Sequence, residues 1–127
     1  PGIDDTPRVT HAPSDYPLEV WQEWASPVWM HTRETDVLNV GAKGDEERHL
    51  CPMPLDLTRR LVLQYTNPGE TVYSPFMGIG SEGYESIRHG RRFVGTELKP
   101  EYFRLAVRNL KRAEKNKATG DLFEGAA

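Results

Sequence analysis

The chain has 127 residues, a formal net charge of -3 at pH 7, 37% hydrophobic residues and 28% charged ones. That size and balance fit one globular domain and exclude most multi-domain architectures. Pro, Gly and polar residues break every apolar run short of the roughly 20 residues of a membrane span, and no secretory signal pattern is visible. A lone cysteine, Cys51, cannot form an internal disulfide and suits a reducing cytoplasm. The charge is uneven. Residues 1–57 hold 4 basic against 11 acidic side chains and residues 58–127 hold 12 against 8, so the two parts face different partners or each other.

Residues 1–16 carry Pro1, Pro7 and Pro13 among Asp, Thr and Ser, a composition that predicts an extended or disordered arm. Pro17 suits a first helical turn, after which Leu18, Trp21 and Ala25 share one helix face until Pro27 stops it. Val28 to Met30 and Asp36 to Val40 read as short strands, and Gly41 to Glu47 as a mobile loop. Leu55 to Tyr65 reads as a helix whose apolar stripe is Leu57, Leu61 and Tyr65. Asn67-Pro68-Gly69 is a stop and turn. A strand at Thr71 to Tyr73 follows, then a glycine loop from Phe76 to Gly83 and a helix ending near His89, with Gly90 at its carboxyl-terminal cap. Arg92 to Glu97 reads as a second strand. Pro100 opens a last helix with Tyr102 or Phe103, Ala106, Leu110 and Ala113 on one face, so the folded unit spans 17–115 and residues 116–127 form a disordered tail.

Strand, glycine turn, helix and second strand make a right-handed βαβ unit. Glycines let the backbone approach a ligand, and the free N–H groups opening the next helix attract a carboxylate or phosphate. Glu97 follows Gly78 by 19 residues, at the carboxyl end of the neighbouring strand, where its oxygens can accept bonds from ribose hydroxyls. Together these features describe an adenosine-containing cofactor. Gly78-Ile79-Gly80-Ser81-Glu82-Gly83 also satisfies the GxGxxG dinucleotide pattern, which keeps a nicotinamide-binding or flavin-binding Rossmann module open as an alternative. Against it, Ser74-Pro75-Phe76-Met77 puts a proline and bulky residues where a pyrophosphate turn wants a tight, glycine-led entry.

Several motifs in series resemble the beta-class DNA methyltransferases that modify N6 of adenine or N4 of cytosine, especially their phage and prophage branch. They are Ser26 to Met30, Thr35 to Leu38, Glu47 to Asp56, Asn67 to Gly69, Ser74 to Ser81 and Gly90 to Leu98, and the likeness covers about residues 18–113. The resemblance implies a Rossmann-like, S-adenosylmethionine-dependent α/β fold, here its carboxyl-terminal cofactor-binding portion. It further implies double-stranded DNA as partner, a bacterial cytoplasm, and S-adenosyl-L-methionine as cofactor. It places Ser74, Pro75, Phe76, Met77, Gly78, Gly80 and Ser81 around the amino-acid end of that cofactor. Glu97 then holds the ribose, Leu98 is a further cofactor-binding residue, and Cys51 and Met53 line the same pocket. Many relatives carry Asp where this chain has Ser74, and a neutral hydroxyl holds an ammonium more weakly than a carboxylate does.

The family's base-holding Asp/Asn/Ser-Pro-Pro-aromatic segment is absent, because the chain has no Pro-Pro dipeptide. Ser26-Pro27-Val28-Trp29 is the nearest imitation and fits equally a turn leading into a buried strand. No catalytic residue is assigned. With its start at Pro1-Gly2, the chain is expected to be a piece of a longer enzyme with its catalytic region upstream. Such a piece should show only part of the sheet, leaving an edge open to another copy. Cys51 reads as packing or pocket lining rather than a nucleophile. The four histidines lack metal-ligand spacing with Cys51. Trp21, Trp24 and Trp29 read as packing residues, and Arg88, Arg91 and Arg92 as solvated structural charges. The basic residues from Arg104 to Lys117 leave room for a non-enzymatic nucleic-acid-binding role.

Overall fold

The computed structural model describes residues 9–12, 14–38 and 51–124, with side chains as far as Lys117. Within these residues the order is α1 (Leu18–Trp24), α2 (Leu55–Tyr65), β1 (Thr71–Ser74), α3 (Ser81–Arg88), β2 (Arg92–Gly95) and α4 (Pro100–Glu124). The strands pair in parallel, from Thr71 opposite Arg92 to Ser74 opposite Gly95, with α3 as the crossover that parallel neighbours need. They are the whole sheet among the described residues, an incomplete Rossmann-like α/β layer as the sequence predicts.

Close packing around α3 depends on one glycine. A Cβ on Gly83 would stand 2.5 Å from Leu110 Cδ2 and 2.6 Å from Phe93 Cδ1, so only a bare backbone lets α3 meet both β2 and α4. Leu38, Ile79, Tyr84 and Ala113 form the buried cluster, flanked by Leu55, Ile87, Tyr102 and Leu105. Of the two aromatic candidates on α4, Tyr102 packs and Phe103 is exposed.

At the far end of α3 the Gly90 N–H donates to the Ile87 carbonyl (3.1 Å) and the Arg91 N–H to the Ser86 carbonyl (2.8 Å). With Gly90 at φ +77° this is the Schellman stop that the sequence anticipates. Arg91 is not the solvated charge expected of it. Only 7% exposed, it donates from Nε to Thr66 Oγ1 (3.0 Å), from Nη2 to the Thr66 carbonyl (2.6 Å) and from Nη1 to the His89 carbonyl (2.6 Å).

Other expectations need correction. Helix α2 has the predicted limits but buries Asp56, Thr58, Arg60, Val62 and Leu63, while Leu61 and Tyr65 of the expected stripe are exposed. The polar side is inward because Arg60 pairs with Asp56 and Glu23, each at 3.0 Å, and lies 5.5 Å from the centre of the Trp29 ring. Neither Val28 to Met30 nor the described part of 36–40 is a strand. Ser26 Oγ instead closes a local turn, donating to the Val28 carbonyl (2.9 Å) and accepting from its N–H (3.3 Å). Past Lys115, where the sequence suggests fraying, α4 continues to Glu124. The predicted loop 41–47, Asn39, Val40 and the opening of the 47–56 block lie outside the described residues.

The described part of the amino-terminal arm has no helix or strand but is pinned. The Thr10 N–H donates to Asn67 Oδ1 (3.0 Å), and the rings of His11 and Tyr16 pack with Trp21 at 5.3 and 5.6 Å between centres. Trp29 donates from Nε1 to the Trp24 carbonyl (3.0 Å), so all three tryptophans pack as the sequence suggests.

Candidate cofactor site

Beyond β1 the chain turns through Pro75 to Gly80 before α3 begins. Gly78 (φ +53°) and Gly80 (φ +88°) take left-handed conformations that a side chain would strain. The segment after β2 stitches this loop in place. The Thr96 N–H donates to the Ser74 carbonyl (3.0 Å) and the Met77 N–H to the Thr96 carbonyl (3.0 Å), which extends the parallel ladder past the strands. Thr96 Oγ1 donates to the Pro75 carbonyl at 2.7 Å. From α4, Asn109 Nδ2 donates to the buried Ile79 carbonyl at 2.9 Å.

Glu97 holds the loop from the side. Its Oε2 accepts the Gly78 N–H at 3.0 Å and its Oε1 the Lys99 N–H at 2.8 Å. Each carboxylate oxygen keeps acceptor capacity beyond one such bond, so the group can organise the loop and still receive a hydroxyl.

The loop and the segment before α2 enclose a cavity of about 130 Å³ lined by Cys51, Pro52, Met53, Phe76, Met77, Gly78, Ile79, Ser81 and Glu82. Small-molecule sites usually measure about 300–1,000 Å³, so this cavity takes one end of a ligand and leaves the rest outside. Phe76 is 84% and Leu98 98% exposed, an unusual state for apolar side chains on either side of Glu97 in sequence.

Of the site residues expected from sequence, Cys51, Met53, Phe76, Met77, Gly78 and Ser81 come together on the cavity wall. Ser74 is buried at the end of β1, and Gly80 supports the loop from behind, its would-be Cβ 3.3 Å from Ala106 Cβ. Pro75, Glu97 and Leu98 are not cavity-lining residues. Cys51 is exposed and lines the cavity, so of packing and pocket lining it does the second. Sequence reasoning passed over Pro52, Ile79 and Glu82. Pro52 sits inside the quoted block, and Ile79 and Glu82 fill the variable positions of the glycine motif, where a pattern of glycines carries no information. Burial raises the pKa of the Glu82 carboxyl above its ordinary value, opposed by a bond to its own backbone N–H. No side chain caps α3, whose first-turn N–H groups follow Gly80 directly.

A glycine loop between parallel strands, clasped by an acidic residue after the second strand, defines this chain as a Rossmann-like α/β protein of the methyltransferase type. A family model described as DNA methylase matches residues 4–108, and the chain belongs to this N6/N4 DNA methylase family. It is 38% identical over 80 residues to the Type II methyltransferase M.Cfr9I of Citrobacter freundii, a match covering 63% of this chain and 27% of that one. It is also 38% identical over 64 residues to the DNA adenine methyltransferase YhdJ of Escherichia coli K12, covering 50% of this chain and 22% of that one. The chain thus spans about a quarter of the length of these curated relatives. A solved Thermus thermophilus protein, described as a DNA modification methylase complexed with S-adenosyl-L-methionine, superposes with a TM-score of 0.57 at 28% identity. That match covers 78% of this chain and 34% of the other.

Proposed function

We propose that this chain supplies the S-adenosyl-L-methionine-binding part of a DNA methyltransferase acting on an exocyclic amine of adenine or cytosine. The observation that carries the reading is the cavity under the glycine loop, sized for an amino-acid end, with the exposed Phe76 on its wall and the Glu97 carboxylate bonded to Gly78 of that wall. The amino-acid end fits between Cys51, Met53, Met77 and Ser81, the ribose hydroxyls meet Glu97, and the flat base covers apolar surface that is otherwise wet. When bound, the cofactor would supply an electrophilic methyl group, with its thioether as the leaving group, to the amine nitrogen. The protein's residues bind and orient it, and Met53, Phe76 and Met77 exclude water from the sulfonium end.

The reading assigns amine recognition to residues other than those described. The sequence lacks a Pro-Pro-aromatic segment, and Ser26 Oγ is engaged in its own turn. Duplex DNA is the macromolecular partner, and α4 offers it Arg104, Arg108, Lys111, Arg112 and Lys115 on exposed positions. The uncovered side of the sheet, where Tyr73 and Val94 stand opposite each other, fits the rest of the enzyme or a second copy. Likeness to the phage and prophage branch favours a bacterial cytoplasm as the setting.

Calorimetric titration with S-adenosylhomocysteine tests the reading, with NAD and Glu97→Ala as controls. Saturable binding that NAD does not reproduce is expected, weakened about 10- to 100-fold by the variant through loss of charge-assisted bonds. Preference for NAD, or no binding by a folded sample, overturns it.

A further inference from the structure

The amino-acid end of the proposed cofactor is a zwitterion, so its cradle has two charges to satisfy. First-turn N–H groups of α3 other than that of Glu82, with no side-chain cap from Gly80, suit the carboxylate, since that end of a helix carries partial positive charge. The ammonium needs an anion. Ser74, at the end of β1, is a buried neutral hydroxyl and is not among the lining residues.

Among the described residues lining the cavity, Glu82 is the one acid. A carboxylate at a helix amino terminus is ordinarily stabilised in its charged form. Here burial raises the pKa of the carboxyl, opposed by a bond to its own backbone N–H. Glu82 therefore lines the cavity as a partly desolvated acid. An arriving ammonium would remove that penalty, whereas a neutral ligand would leave it in place.

We infer that Glu82 is the carboxylate that receives the α-ammonium of the cofactor. The inference rests on the S-adenosyl-L-methionine reading of the cavity. Glu82 and the α3 N–H groups then form a paired acceptor and donor set for a free amino acid end, one turn from the glycines that admit it.

Three ligands separate the possibilities on the full chain: S-adenosylhomocysteine, its analogue lacking the α-amino group, and 5′-methylthioadenosine, which lacks the amino-acid end. Glu82→Gln should weaken S-adenosylhomocysteine about tenfold while leaving 5′-methylthioadenosine unchanged. Wild-type chain should bind the deaminated analogue about as weakly as the variant binds S-adenosylhomocysteine, an arm that needs no substitution. Equal loss for all three ligands would make Glu82 a structural residue and overturn the inference. So would undiminished binding of S-adenosylhomocysteine by the variant, or of the deaminated analogue by wild type. If wild-type chain binds none of the three, the reading of the cavity fails together with it.

Discussion

The two ends of the β1–α3–β2 unit are built from the same kinds of residue and spend their polar groups differently. At the amino ends of the strands, Arg91 is consumed by Thr66 and His89, Glu70 accepts the Asn67 N–H at 2.7 Å, and the Gly69 N–H donates to the Gly90 carbonyl at 2.9 Å. At the carboxyl ends, Glu97 and Thr96 fix the backbone, while Glu82 lines the cavity and Phe76 and Leu98 are exposed. One end is closed on itself and the other is complementary to something else. Stability and binding are thereby separated by the length of two short strands.

The largest perturbation falls between the two ends. Gly83→Val puts a branched side chain where even a Cβ lies 2.5 Å from Leu110, and should cost about 3 kcal/mol in urea unfolding. A cost under about 1 kcal/mol would mean that α3 can lift off β2 without disturbing either end. Next, Arg91→Met removes the buried guanidinium and should cost about 2 kcal/mol while leaving S-adenosylhomocysteine affinity per folded molecule unchanged. Should affinity fall along with stability, the two ends are coupled. Thr96→Val should do the reverse, weakening the same ligand about fivefold by freeing the Pro75 carbonyl while the unfolding midpoint scarcely moves.

The smallest effect is a pH dependence. Burial raises the pKa of Glu82, so the folded chain holds that proton more tightly than the unfolded chain. Its contribution to stability is complete below the unfolded carboxyl's pKa and is lost as pH rises through the folded one. Thermal melts from about pH 4 to about pH 8 should therefore show Glu82→Gln gaining on wild type as pH rises. Parallel profiles for the two proteins would show that the carboxyl is solvated.

Much of the cofactor loop was legible because glycine requirements are local. Gly78, Gly80 and Gly90 stand at positive φ where the pattern placed turns, and Glu97 reaches Gly78 over the spacing that drew attention to it. The α2 limits were readable from Pro54 and Asn67, yet the buried face was not. Burying Arg60 depends on Asp56, Glu23 and Trp29 converging from separate segments, which no periodicity in α2 records. Val28 to Met30 has strand-like composition, but a strand needs a partner, and Ser26 supplied a turn instead. Glu82 was hidden for a different reason: its significance comes from which walls the cavity has, and Cys51 to Met53 reach that cavity from a distant part of the sequence.

Gly80 and Ala106 touch where the glycine loop crosses α4, with Ala106 wholly buried. Two of the smallest residues meeting there leave no slack for either to grow alone. A library randomised at both positions should return small pairs and almost nothing else, so the helix residue carries a selective constraint inherited from the loop. Position 106 is thus a second-hand signature of the loop, in a helix that contributes no residue to the cavity wall.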